Sequence, residues 1–153
     1  MMENLKIMEE KWDITYQHSL GETAAHFYQT IIDQEKILGR KCDCCNRVLV
    51  APRAYCDRCF ENTSDWVEVG LEGTVEMYTV VYQGFKGLPA PPYCIAYVTL
   101  DGADTAILNY IKGIEWTTDN VAQNIKVGDR VKVKFSDRKE GRITDFWFEK
   151  VNG

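Results

Sequence analysis

A chain of 153 residues, 45% apolar and 27% charged, has room for one medium domain or two small ones and reads as an ordinary globular protein. Its net charge of −5 argues against general nucleic-acid binding, which draws mostly on phosphate neutralisation. The apolar runs are far too short to cross a bilayer, and Met1-Met2-Glu3-Asn4 lacks the basic-then-apolar opening of a signal peptide, so a cytoplasmic protein without membrane contact is expected.

Residues 1–18 mix Leu5, Ile7, Met8, Trp12, Ile14 and Tyr16 with charges. Two readings stay open here: a short helix and loop folded back on the body, or a docking arm for a partner protein. Ser19 and Glu22 have the spacing of a capping box, which predicts a helix starting at Ser19. Ala24, Phe27, Tyr28 and Ile31 then recur on one helical stripe. His26 lies off that stripe and is read as a surface or rim residue. Residues 1–35 therefore form an N-terminal helical segment.

Residues 36–66 carry the most specific signal. Cys42, Cys45, Cys56 and Cys59 form two C-x-x-C pairs separated by ten residues. Each pair can wrap one turn around a metal, and two turns complete a tetrahedral thiolate site. Sulfur in all four positions leaves no seat for water, so the expected single Zn²⁺ holds structure and activates nothing. Six cysteines in a secreted chain could mean disulfides, but paired knuckles in a reducing compartment favour metal. Cys44 is set aside because a knuckle wants two intervening residues. A strand is predicted over 36–41, leading into the first pair; residues 47–52 lead away from it, and Pro52-Arg53-Ala54-Tyr55 turns into the second pair. Asn46, after the first pair, suits a left-handed conformation; Phe60, after the second, suggests a different turn. A zinc ribbon of this size cannot bury enough apolar surface to fold unaided.

In residues 67–153 the pattern changes to strands. Segments 73–83, 93–100 and 105–111 are rich in β-branched and aromatic residues. Asp101-Gly102 and Lys126-Val127-Gly128-Asp129 mark tight turns, and 113–125 has room for a short helix. Val131, Val133 and Phe135 alternate with Lys132 and Lys134, a half-buried strand with a basic outer face. A last strand spans 142–151, with Phe146 and Phe148 on one face and Trp147 on the other. Five strands with an insertion between the third and fourth suit a small closed barrel of the OB type. The fold class is thus mainly β with an N-terminal helix, a rubredoxin-like zinc ribbon and an OB-fold barrel. The irregular 84–92 loop displays Phe85, Lys86 and Leu88 and is the expected place for recognition.

Helix, ribbon and barrel in this order resemble the zinc-ribbon and OB-fold proteins associated with acyl-CoA enzymes, small partners of thiolase-superfamily proteins. The resemblance covers roughly residues 20–150. It is carried by Phe27-Tyr28, Arg40-Lys41-Cys42 through Cys45, Ala51-Pro52-Arg53, Cys56 through Cys59, Trp66, Gly73-Thr74-Val75, Leu100-Asp101-Gly102 and Lys126-Val127-Gly128-Asp129-Arg130-Val131. The family usually has a proline pair where this chain has Ala51-Pro52, and often glycine where it has Asn46 and Phe60. The resemblance implies a hetero-oligomer in which a thiolase-like chain carries the nucleophilic cysteine and the small subunit helps bind or position a CoA thioester. Related pairs include acetoacetyl-CoA thiolase assemblies, steroid side-chain aldolases and benzoylsuccinyl-CoA thiolase.

The residues agree with a non-catalytic component. Covalent thiolysis needs a thiolate beside a base and an oxyanion site, and Cys94 sits in an apolar strand with no histidine near in sequence. A CoA surface needs cations for phosphate and apolar walls for the pantetheine arm. Candidate cations are Arg47 or Arg53 on the ribbon, Lys86 on the loop, and Arg130, Lys132, Lys134 and Arg138 on the barrel; for Lys132 and Lys134 a merely solvated strand face is the competing reading. The alternative function is single-stranded nucleic-acid binding, with Tyr78, Tyr82, Tyr97 and Trp147 as stacking faces.

Overall fold

The computed structural model describes residues 11–115 and 124–151. The start of the N-terminal segment, residues 1–10, and most of the predicted 113–125 helix lie outside them. Among the described residues no helix is long and apolar enough to cross a membrane.

Helix α1 spans Glu22–Gln34 and buries Phe27, Thr30 and Ile31, so the predicted stripe is the packed face. The capping box does not form. Gly21 occupies the N-cap with no side-chain cap hydrogen bond, which places Ser19 two residues too early to reach the first turn. Residues 11–20 ahead of the helix run without regular structure. No helix forms there and Trp12, Ile14 and Tyr16 are exposed, but Tyr16, His18 and Leu20 line a concavity with Tyr28 and residues 140–142, so the end of this stretch lies against the body.

The ribbon is a three-stranded antiparallel sheet, ordered β2-β1-β3, from β1 (Leu38–Cys42), β2 (Val48–Leu49) and β3 (Thr63–Glu68). The remaining strands are β4 (Glu72–Val81), β5 (Tyr93–Leu100), β6 (Ile107–Lys112), β7 (Arg130–Phe135) and β8 (Phe146–Lys150). They close into a barrel in the order β4-β5-β6-β8-β7, with β6 and β8 parallel and the other neighbours antiparallel. That circuit is the five-stranded OB topology. Closure hinges on β4, which pairs with β5 along its length and with β7 at Glu72, Gly73 and Thr74. At Gly73 the strands approach so closely that a Cβ would lie 2.6 Å from the Thr99 carbonyl oxygen; no other residue fits.

Two barrel strands begin later than predicted, each because a polar side chain does something else. Thr105 does not extend β6. Its hydroxyl accepts from Val50 N–H at 2.8 Å and donates to Val50 carbonyl at 2.7 Å, stitching the ribbon to the barrel. Upstream of β8, the Asp145 carboxylate accepts from the N–H groups of Glu140, Gly141 and Arg142 at 2.9, 2.7 and 3.0 Å. Those bonds curl the chain into a 3₁₀ turn over Ile143–Asp145 before β8 starts.

The main core fills the barrel with Val75, Val98, Leu100, Ile111, Val131, Val133, Phe146 and Phe148, and extends to Phe27 and Ile31 of the helix and to Ile37 and Val50 of the ribbon. Helix and ribbon therefore both lean on the barrel through apolar contact, and the ribbon through hydrogen bonds as well.

Candidate metal centre and its surroundings

Cys42 closes β1 and Cys45 follows in the first turn, while Cys56 and Cys59 occupy the second. The two turns repeat one hydrogen-bond plan. Asn46 N–H donates to the Cys42 carbonyl and Phe60 N–H to the Cys56 carbonyl, both at 3.0 Å. Cys42 N–H donates to Arg47 at 2.8 Å and Cys56 N–H to Glu61 at 2.9 Å. Asn46 and Phe60 both sit at φ 59°, in the left-handed region. The expectation of a different turn at Phe60 is thus corrected: the repeated turn imposes its conformation on whichever residue follows the second cysteine.

This plan aims four sulfurs at one point. The ligand atoms of Cys42, Cys45, Cys56 and Cys59 all lie within 4.8 Å of one another, and Cys45 Sγ is 3.7 Å from Cys56 Sγ. Sulfurs at ~2.3 Å from a tetrahedral zinc are about 3.8 Å apart, so the cluster fits such an ion. Cys44 is exposed beside it and is not part of the set. The Arg58 and Cys59 backbone N–H groups pull the Cys56 thiol down to about 6. Hydrogen bonding to Cys45 and burial push Cys59 the other way. Four adjacent thiols resist full ionisation by mutual repulsion, and a divalent cation removes that resistance. With four sulfur donors such an ion would have no open position, so its role is structural.

Charge around the cluster is arranged in pairs. Asp57 accepts from Arg47 at 2.9 Å and faces Arg53 at 3.1 Å. Arg53 is thus paired with Asp57 and about half exposed. Arg130 bridges Asp101 at 2.5 Å and Glu72 at 3.4 Å, and Arg138 pairs with Glu140 at 2.8 Å. Lys132 and Lys134 stand on the outer face of β7, as the alternation predicted. Phe85 and Leu88 are 58% and 50% exposed on the loop between β4 and β5, with Lys86 exposed between them. The candidate contact residues thus occupy three separate places: the ribbon, the 84–92 loop and the β7 face.

Two concavities were not singled out from the sequence. One lies between α1 and the ribbon, where the His26 and Trp66 ring centres are 4.4 Å apart and the Arg40 guanidinium lies over the Trp66 ring, 4.9 Å from its centre, while donating to the Thr63 carbonyl. His26 is exposed there, as expected of a rim residue. The other is on the barrel, lined by Pro89, Tyr93, Tyr110, Lys112, Thr144 and Phe146. Alternation shows that Tyr93 and Tyr110 face outward, but only the closed barrel brings them beside two loops. Of the tyrosines considered as stacking faces, Tyr78 packs against the core, while Tyr82 and Tyr97 are exposed.

Cys94, the remaining cysteine, is fully buried, and burial pushes its thiol up to about 11. That is the opposite of an activated nucleophile.

Residues 66–136 match the family described as "ChsH2, C-terminal OB-fold domain". Among solved structures, a protein of unknown function from the DUF35 family of Sulfolobus solfataricus is 27% identical, with 86% of this chain and 87% of that chain covered at a TM-score of 0.63. A second, described as "Ltp2-ChsH2(DUF35) aldolase", is 20% identical, with 88% and 97% covered at a TM-score of 0.62; this likeness speaks to the fold. No curated protein matches the chain. The chain is similar to DUF35 proteins in sequence over the barrel and in fold over most of its length.

Proposed function

We propose that this protein is a non-catalytic subunit of an acyl-CoA-processing complex, bound in the cytoplasm to a thiolase-like chain that carries the nucleophile. The observation that carries the reading is the match of residues 66–136 to the ChsH2 barrel family. It is supported by the DUF35 relative whose description pairs ChsH2 with Ltp2 in an aldolase. The buried, high-pKa Cys94 supports placing the reactive cysteine on the partner. In this reading one structural zinc ion on Cys42, Cys45, Cys56 and Cys59 holds the ribbon in shape. The barrel and its 84–92 loop help position a CoA thioester, with Phe85 and Leu88 as apolar contacts and Lys86, Lys132 and Lys134 offering charge to phosphate. Within this class, the chain's length and aromatic loop are compatible with the small subunit of benzoylsuccinyl-CoA thiolase, an enzyme of anaerobic toluene degradation.

The test is co-expression with a thiolase-like chain from the same source, followed by affinity capture and turnover assays on acetoacetyl-, steroid side-chain and benzoylsuccinyl-CoA thioesters. The expected result is a stable complex whose activity disappears without this subunit. A partner fully active alone, or turnover by this chain alone, overturns the proposal; preference for another thioester removes the benzoylsuccinyl assignment only.

A further inference from the structure

Cys44 is the ribbon cysteine that the four-sulfur site leaves out, and it is also the most accessible. It stands in the first turn, directly before Cys45, with its side chain exposed. Cys42 and Cys56 are buried, and Cys45 and Cys59 are half-buried. The Cys59 thiol lies within hydrogen-bonding reach of Cys45 and also of Cys44. Cys44 therefore reaches from the first knuckle to the second, on the open side of the cluster.

Geometry selects Cys59 as its partner. A disulfide wants Cα atoms about 4.4–6.8 Å apart, and consecutive Cα atoms are only about 3.8 Å apart, which disfavours Cys45. Cys42 is 0% exposed, and so is Cys94, inside the barrel core. Cys59 remains, half-buried and already beside Cys44. Thiol oxidation follows accessibility, and an accessible thiol next to a second one is the arrangement of a redox sensor.

We propose that the ribbon carries a peroxide-responsive switch, in which Cys44 is oxidised first and Cys59 resolves it as a disulfide, withdrawing one sulfur from the metal site. The Cys44 thiolate attacks one oxygen of hydrogen peroxide, the O–O bond breaks, and Cys44 becomes a sulfenic acid while hydroxide leaves and takes up a proton. The Cys59 thiolate then attacks the Cys44 sulfur, the S–O bond breaks, a second water forms, and the S–S bond closes. The two sulfurs lose two electrons and the peroxide gains them. Three thiolates remain for the ion, so the closed site opens and the second turn loses its hold on it. Thiol reductants reverse the step by exchange, and a transient disulfide of this kind is compatible with a reducing compartment.

Zinc release from the purified, zinc-loaded full chain, followed with a chromogenic indicator during hydrogen peroxide treatment, tests the switch. Cys44→Ser leaves all four ligands in place and should hold zinc before oxidation as the unaltered chain does. The unaltered chain is expected to release its ion about tenfold faster than Cys44→Ser. Peptide mass spectrometry after alkylation of the remaining thiols should find Cys44 linked to Cys59, and dithiothreitol with added zinc should restore the loaded protein. Equal release rates overturn the proposal, and so does a disulfide within either C-x-x-C pair, or between two chains, in place of Cys44–Cys59. A chain that takes up no zinc overturns it as well. So does a Cys44→Ser protein that cannot hold the ion, because Cys44 would then belong to the resting ligand set. None of these readouts involves a partner chain or a thioester, so the switch and the subunit proposal fail separately.

Discussion

The ribbon and the barrel reach order by different physical means. Inside the barrel, side chains from five strands and from the flanking helix exclude water around Phe146 and Phe148, both fully buried. Inside the ribbon, the separate cluster is Leu49 with Cys42 and Cys56, edged by Cys45 and Cys59. One leucine among thiols is too little hydrocarbon to offset the entropy of ordering two turns. Four converging thiols offer the ribbon a site where an ion could supply the difference; the barrel core is built from hydrocarbon. Yet they are not independent, because Ile37 and Val50 enter the barrel core, Asp104 accepts from Val48 N–H in β2, and Thr105 bonds to the Val50 backbone just beyond it. The ribbon thus joins a cysteine cluster that could hold a metal to apolar and hydrogen-bonded support from its neighbour.

Removing the metal is the strongest way to separate the two regions. Structural zinc contributes about 10–16 kcal/mol in isolated zinc-finger peptides. Chelation, or Cys56→Ser, should therefore abolish ordered ribbon structure while the barrel persists. Metal analysis together with residue-resolved amide exchange checks this, with protection expected to vanish over residues 42–62 and remain in β5, β6 and β8. A folded, metal-free ribbon, or simultaneous collapse of both regions, would break the comparison.

The converse change strikes the barrel. Phe148→Ala deletes a buried ring that packs edge to face on Phe146 at 5.9 Å and should cost about 3–5 kcal/mol. Thermal unfolding should show a lower Tm, with zinc content unchanged in the protein that remains folded. Loss of metal in step with loss of the ring would mean that the ribbon cannot close without the barrel behind it.

The same difference explains what could be read from the sequence. Cys42, Cys45, Cys56 and Cys59 announce their site because ligand spacing is local. Val131, Val133 and Phe135 announce a strand because burial has period two. Ser19 misleads because a cap contributes only about 1 kcal/mol, and the packing of Phe27 and Ile31 fixes where the helix lies. Thr105 and Asp145 mislead because their partners, Val50 and the 140–142 backbone, become neighbours only after folding. The barrel concavity was hidden for a related reason: Pro89, Tyr110 and Thr144 are brought together by closure of the barrel.

A third test uses acid, to which the barrel seam should respond. Asp129, 8% exposed, meets the Lys150 ammonium at 2.8 Å and accepts from Lys126 N–H at 2.9 Å. Burial opposes its charge, but these partners prevail and hold its carboxyl below the usual range. A hydrogen bond from Arg130 likewise lowers Asp101, with burial opposing. A carboxyl lowered in the folded state binds fewer protons there than in the unfolded chain. Its stabilisation is therefore complete above the unfolded value of about 3.9 and is lost as pH falls through the folded one. Asp129→Asn should cost about 1.5–3 kcal/mol at neutral pH and flatten the Tm profile below about pH 4. An unchanged profile would remove this seam from the account of barrel stability.

The smallest effect compares the two knuckles with each other. Asn46 and Phe60 hold the same φ of 59° and donate equivalent bonds, but asparagine tolerates that region and a bulky side chain does not. Phe60 is 83% exposed, so little packing offsets the strain. Phe60→Gly should therefore raise stability by about 1 kcal/mol, measured by denaturant midpoint in the metal-loaded protein, while Asn46→Gly changes it by less. If Phe60→Gly is instead destabilising, the ring makes a contact that the strain argument omits. If it stabilises the lone chain but weakens capture of the proposed thiolase-like partner, the exposed ring is held in an unfavourable conformation because the proposed complex uses it, and the second knuckle belongs to the docking surface as well as to the cysteine cluster.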